Sequence, residues 1–182
     1  MTLTTSVKTC KGRPVLFING RPHTGFMLYH GTHPDACGDI ARFAKSDVNL
    51  LSTCFSGEWP ADFERVDNAM RAVIAANPDI LVLPRFGFEP PASWREQHPD
   101  DLMVHYKIAT GEKVLNQRVA ITSAAWRRDV VPEVRRTIEH MEKHWGEYII
   151  GYHPGASHAL ENSYDWDYST IGEYSLAQVR AF

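Results

Sequence analysis

Cysteine is scarce in this chain. Its 182 residues hold three, Cys10, Cys37 and Cys54, an odd number confined to the first third and without a Cys-x-x-Cys pair. That pattern argues against a disulfide framework or a structural zinc site and points to a reducing compartment, so a cytoplasmic protein is expected. Long apolar runs are missing too: no segment approaches the roughly 18 uninterrupted apolar residues of a membrane span. Nor does Met1 to Lys8 show the basic start and apolar stretch of a leader. A dominant sign of charge is also absent, with 19 basic residues interspersed among 22 acidic ones and a net charge of −3. Nothing there favours a nucleic-acid partner. Without GxGxxG or GxxxxGK[ST], nucleotide use lacks support, and no cofactor is expected. What is present, 43% hydrophobic and 23% charged residues, suits one folded domain over residues 1–182.

The pattern along the chain is mostly alternating. Val15 to Ile18, Asn19-Gly20 and Phe26 to Tyr29 read as an N-terminal hairpin, because Asn-Gly tolerates the positive φ angles of a tight turn; residues 1–25 form a leader, and the second arm can run on from it into a core strand. Spacing then predicts a helix over Asp35–Lys45, a buried strand over Val48–Cys54 and a helix opened by Pro60 with Phe63, Val66, Met70, Val73 and Ile74 on one face. Asn77-Pro78 ends it, and Asp79–Leu83 reads as a strand buried on both faces. From Pro84 to about Thr122 the chain reads as irregular, with short strands expected at Met103–Lys107 and Lys113–Leu115. Ser123 is placed to cap a third helix, which Pro132 should kink or whose real start it should mark. A strand is expected at Tyr148–Tyr152, then an irregular stretch to about Ser169 and a last amphipathic segment. Four βα units in succession imply a parallel sheet. Because a complete (β/α)8 barrel takes about 250 residues, the expected fold is a partial (β/α)8 (TIM) barrel of about four units, or else a small open sheet.

Two loops concentrate the chemistry. Arg85 directly follows a buried strand, where a permanent cation can hold a carboxylate or a sugar hydroxyl, and Trp94 offers a flat surface of the kind that stacks on a pyranose. After the fourth strand come Tyr152 and His153, and then Glu161 among aromatic neighbours, where desolvation would raise an acid toward the pKa of a general acid. Trp59, Trp166 and Tyr164 are further stacking candidates, whereas Trp126 and Trp145 sit at core-like helical positions.

At these loops a resemblance becomes specific. Pro84-Arg85-x-Gly87, followed by Pro90-Pro91-x-Ser93-Trp94 and His98-Pro99-Asp100-Asp101, is similar to the third-strand loop of β-galactosidase-like glycoside hydrolases, chiefly family 42. Gly12 to Pro22 looks like the leader strand of that family, Ile149 to His153 like its fourth strand, and Asp167 to Phe182 like the segment after it. The resemblance implies a retaining hydrolase acting on O-glycosidic bonds. It maps the acid/base glutamate onto Glu161, although Leu160 stands where the family has Asn, and it makes Arg85 a neighbour of the nucleophile's subsite. The nucleophile, on a seventh strand, has no counterpart here. Since the mechanism needs two carboxyl groups about 5 to 5.5 Å apart, the expectation is a truncated domain with little turnover alone. Its partner would be a carbohydrate such as a galactoside, with self-association or a complementing C-terminal half also expected and no membrane contact.

Two other readings compete. A non-catalytic sugar-binding fragment would use the same aromatics without turnover. A metal-dependent hydrolase would draw on His23, His30, His33, His153 and His158, yet no HxH stands at the end of the first strand, so no metal is expected.

Overall fold

The computed structural model describes residues 3–30, 36–155, 170–171 and 176–181. In chain order these form β1 (Thr5–Cys10), β2 (Arg13–Ile18), β3 (Arg21–His23), β4 (Leu28–His30), α1 (Ala36–Ala44), β5 (Leu50–Glu58), α2 (Phe63–Ala76), β6 (Leu81–Glu89), α3 (Ala92–Gln97), a 3-10 turn (Pro99–Asp101), β7 (Leu102–Lys107), β8 (Lys113–Val119), α4 (Ala124–Trp145), β9 (His153–Gly155), β10 (Thr170–Ile171) and α5 (Leu176–Ala181). The residues gather into two compact units. One comprises Met1–Phe55, Asp62–Arg85 and Ile138–His153, the other Ser56–Ala61, Phe86–Thr137 and Pro154–Phe182.

In the first unit β1, β2 and β3 form an antiparallel sheet in that order. Both of its turns take positive φ at two successive residues, Lys11-Gly12 and Asn19-Gly20. That is the geometry whose twist matches antiparallel strands, and it fixes Cys10 opposite Arg13 and Ile18 opposite Arg21. All of β1 is exposed, and Ile18 is the sheet's one fully buried residue. β4 runs parallel to β5, Leu28 opposite Leu51. Leu50, Leu51 and Phe55 of β5 are buried, as are Ile40 of α1 and Val66, Met70 and Val73 of α2. The latter three recur at the spacing that gives a helix one apolar face. Asp62 caps α2 by accepting the Arg65 N–H at 3.1 Å, and buried Asn77 closes it while donating to the Asn49 side chain at 2.9 Å. β6 is tied to the residue before β5 by the Leu81 N–H, which donates to the Asn49 carbonyl at 2.7 Å. Val82 is bridged in parallel to Ile149.

The second unit is built on β7 and β8, an antiparallel pair turned at Gly111 with β10 on the other side of β7. Its buried apolar residues are Phe86 and Phe88 of β6, Trp94 of α3, Leu102, Met103 and Val104 of β7, Val119 of β8, and Trp126 and Val130 of α4. Ser123 caps α4 as expected, accepting the Trp126 N–H at 2.9 Å, and the Trp126 indole donates to the Phe88 carbonyl at 3.0 Å. α4 continues through Pro132 as one helix of 22 residues.

The expected partial (β/α)8 barrel is not the fold. The described strands lie in three small sheets, β1-β2-β3, β10-β7-β8 and β4-β5-β6-β9, two of them antiparallel. The βα alternation breaks because the stretch read as irregular holds a helix, a 3-10 turn and a hairpin between β6 and α4. The fourth expected strand, Tyr148–Tyr152, is reduced to the single bridge at Ile149, and β9 starts only at His153. The architecture is a mixed α/β one. No helix among the described residues is long and apolar enough to cross a membrane.

Candidate functional site

The first cluster lies in the second unit, at the ends of two adjacent strands. β5 and β6 are neighbours in their sheet, and the Trp59 N–H donates to the Glu89 carbonyl at 3.1 Å. Leu81 bonds to Asn49 at the start of the same pair, so the bonds advance together along both strands, as in a parallel ladder. In such a ladder each residue bonds to the neighbours of the one opposite, which sets Glu58 opposite Glu89 with both side chains on one face. Strands in a sheet are about 4.8 Å apart. Two carboxyl groups in that position disfavour each other's charge.

Glu89 gives way. Burial pushes its carboxyl up to about 7, helped by the charge of Glu58 and opposed by the Val119 amide, Arg118 and Arg95. Its Oε2 accepts the Val119 N–H at 3.4 Å. Its Oε1 is shielded from solvent and has no hydrogen-bond partner. The Glu58 side chain is 64% exposed, and Arg95 Nη1 lies 3.9 Å from its Oε1. With its carboxyl pushed up to about 7, Glu89 keeps a proton over a range in which an ordinary carboxylate has lost it, and that neutral form can both donate and accept.

The same unit holds Trp59 and Trp94. Trp59 is half-buried, and its indole Nε1 is likewise shielded and without a partner. Trp94 meets it edge to face, the centroids 6.4 Å apart. Trp94 itself is buried and stacks on His98 at 4.1 Å, while its Nε1 donates to Asp129 Oδ2 at 2.9 Å. Only 7% of Trp94 is exposed. In this unit Trp59 thus has more surface to offer a ligand than Trp94, and Trp94 positions Trp59. Arg128 and the Trp94 indole together hold Asp129 below the usual carboxylate range.

The other candidates are placed as follows. Arg85, in the first unit, is 4% exposed, with its Cζ 4.2 Å from the centroid of the Tyr29 ring. Its Nε and Nη1 have no hydrogen-bond partner. The same unit holds Tyr152 and His153, both half-buried. The Tyr152 hydroxyl donates to Glu142 Oε1 at 2.8 Å; burial and that carboxylate push the phenol up, so it is a proton holder and no base. Glu161, Tyr164, Trp166, His33 and His158 lie outside the described residues. Among the described residues no group of three or more His, Cys, Asp or Glu side chains is arranged to hold a metal ion.

Glu89 and Glu58 were missed in the sequence because Pro90-Pro91 made Glu89 look like a loop residue. The signal was there in part: the alternation of β6 continues through Phe86-Gly87-Phe88-Glu89, and Glu58 ends a buried strand in the same way. No family model matches the chain, and neither the curated proteins nor the solved structures contain a match.

Proposed function

We propose that the chain forms the sugar-binding part of a glycoside hydrolase-like protein that cleaves O-glycosidic bonds with two carboxyl groups. The observation that carries this reading is the Glu58–Glu89 pair opposite each other on β5 and β6, with the Glu89 carboxyl pushed up to about 7 by burial. Sugars are bound by such sets of polar groups that donate and accept, next to an aromatic surface. Support also comes from the resemblance of Pro84 to Asp101 to the family 42 loop, which assigns proton transfer to Glu161. Arg85, a buried cation with two unsatisfied donors, fits a place beside a carboxylate of the same site class. The three free cysteines support the finer reading of a reducing, cytoplasmic setting.

Titration with methyl β-D-galactopyranoside, followed by calorimetry, and assay on 4-nitrophenyl β-D-galactopyranoside test the reading. Saturable binding in the millimolar range is expected, and any turnover should vanish in E161Q. Binding without turnover would favour the sugar-binding fragment. If the chain binds neither this galactoside nor the matching glucoside, the carbohydrate reading falls.

A further inference from the structure

We propose that the cavity between the β2-β3 hairpin and the start of β6 binds a small carboxylic acid with a branched aliphatic body. Arg21 receives its carboxylate, and its carbon chain rests on Ile18 and Leu81. The site lies wholly in the first unit and is independent of the carbohydrate reading above.

The cavity has a volume of about 520 Å³ and is lined by Ile18, Asn19, Arg21, Pro22, His23 and Leu81. That volume falls within the range of small-molecule pockets, about 300 to 1,000 Å³. Its walls are fixed from both sides. Positive φ angles at Asn19-Gly20 close the hairpin with Arg21 opposite Ile18 and His23 opposite Leu16. The Thr5 hydroxyl ties the same sheet to the Ile150 carbonyl at 3.1 Å, next to the Ile149 bridge to β6. Because side chains alternate along a strand, Arg21 and His23 share one face, and pairing across the strands puts Ile18 on it too. A buried apolar side chain thus sits beside an exposed cation.

The polar groups of the lining are donors. Among the described residues no hydrogen bond or ion pair engages the Arg21 guanidinium. His23 Nδ1 accepts the Gly25 N–H at 3.3 Å, which leaves Nε2 to donate. Asn19 Oδ1 accepts the Thr4 N–H at 3.0 Å and the Thr4 hydroxyl at 3.4 Å, which leaves its amide hydrogens. Among the described residues no acidic side chain lines the cavity. A ligand that accepts hydrogen bonds and carries negative charge is therefore favoured. The arginine fork matches the two oxygens of a carboxylate. One guanidinium balances one charge, so a phosphate dianion leaves a charge uncompensated and gains nothing from the apolar wall. A neutral ring of hydroxyls forgoes the charge-assisted bond.

Calorimetric titration at pH 7.5 with sodium 4-methylpentanoate, 4-methylpentanamide, acetate and inorganic phosphate, on the wild type and on R21Q, tests this. Saturable binding of 4-methylpentanoate in the millimolar range is expected. The amide, which lacks the charge, and acetate, which lacks the body, should each bind at least about tenfold more weakly. Phosphate at equal concentration should not displace 4-methylpentanoate. R21Q should bind it at least about tenfold more weakly than the wild type does, the range of a hydrogen bond to a charged group. No binding of 4-methylpentanoate to the wild type, equal affinity for acid and amide, or equal affinity of R21Q and the wild type each overturns the inference. Equal affinity for 4-methylpentanoate and acetate overturns the aliphatic body, and displacement by phosphate overturns the choice of a carboxylate. The comparison of acid with amide needs no variant, so it decides even if R21Q fails to fold.

Discussion

At the scale of single residues, Glu89 links site chemistry to stability. Its folded pKa, about 7, lies above the usual carboxylate range, so between about pH 4.5 and 7 the folded state binds more protons than the unfolded chain. Stability contributed by the neutral form is therefore present in acid and lost as pH rises through 7. We expect urea midpoints of the wild type to fall from pH 5 to pH 8 by the equivalent of up to about 3 kcal/mol, and those of E89Q to fall much less. Identical profiles would show that Glu89 is ionised throughout. Arg85 is a different case, a guanidinium only 4% exposed. Its contact with the Tyr29 ring is worth about 0.5 to 2 kcal/mol, against a desolvation cost of several kcal/mol. Desolvation wins, so R85M should leave the thermal midpoint unchanged or raise it. A fall equivalent to more than about 1 kcal/mol would mean that its guanidinium is already satisfied. Arg85 was legible in the sequence, since a cation after a buried strand is a local signal. Glu89 was not, because the amide it accepts from belongs to Val119, 30 residues on, and Glu58 comes opposite it only through strand pairing.

At the scale of elements, local pattern and local structure agree where neighbours in sequence supply the partners. The Asn19-Gly20 turn and the Ser123 cap of α4 follow from residues within a few positions of each other, although the arm after that turn is Arg21–His23 and not Phe26–Tyr29, and α2 starts at Phe63 behind an Asp62 cap and not at Pro60. Agreement fails where distant residues decide. Spacing ends a strand at Leu83, but β6 runs on to Glu89, and α4 starts at Ala124, so Pro132 does not mark its start. Within the first unit the joining of α2 to the last turns of α4 is of this distant kind. Asp67 Oδ1 lies 2.8 Å from His140 Nε2 and accepts the Trp145 indole N–H at 2.7 Å, while the His140 ring stacks on Phe63. Burial opposes the Asp67 charge, but those two hydrogen bonds outweigh it and hold the carboxyl below its usual range. A lowered carboxyl stabilises the fold above its unfolded pKa and ceases to as pH falls through the folded one. D67N should cost about 1 to 2 kcal/mol at pH 7. Its deficit, read from urea midpoints, should shrink as pH falls below 4. A deficit constant from pH 7 to pH 3 would mean that charge plays no part in the joint.

At the scale of the whole molecule, the division of strands among sheets was the least legible feature. Apolar runs report that a strand is buried but not how many strands share its sheet: β5, β6 and the run at Tyr148, read as successive members of one parallel sheet, do lie side by side, but that sheet is not the whole. Turn chemistry at Lys11-Gly12, Asn19-Gly20 and Gly111 closes local antiparallel pairs, and six of the described strands lie in two further sheets, β1-β2-β3 and β10-β7-β8. Where a strand ends up decides how its side chains meet solvent, and the three cysteines report on that. Cys10 lies on exposed β1 and Cys37 on the outer part of α1, with its Sγ 3.8 Å from the Ala72 carbonyl, while Cys54 is half-buried in β5. All three are free thiols. Under native conditions a disulfide exchange reagent such as Ellman's should therefore titrate two thiols quickly and the third slowly, because thiolate attack requires access. In urea all three should react at one rate. Reductant should leave the thermal midpoint in place, there being no cross-link to lose. Three equally fast native thiols would mean that β5 is not held in its sheet, and fewer than three in urea would reveal a disulfide that this fold does not contain.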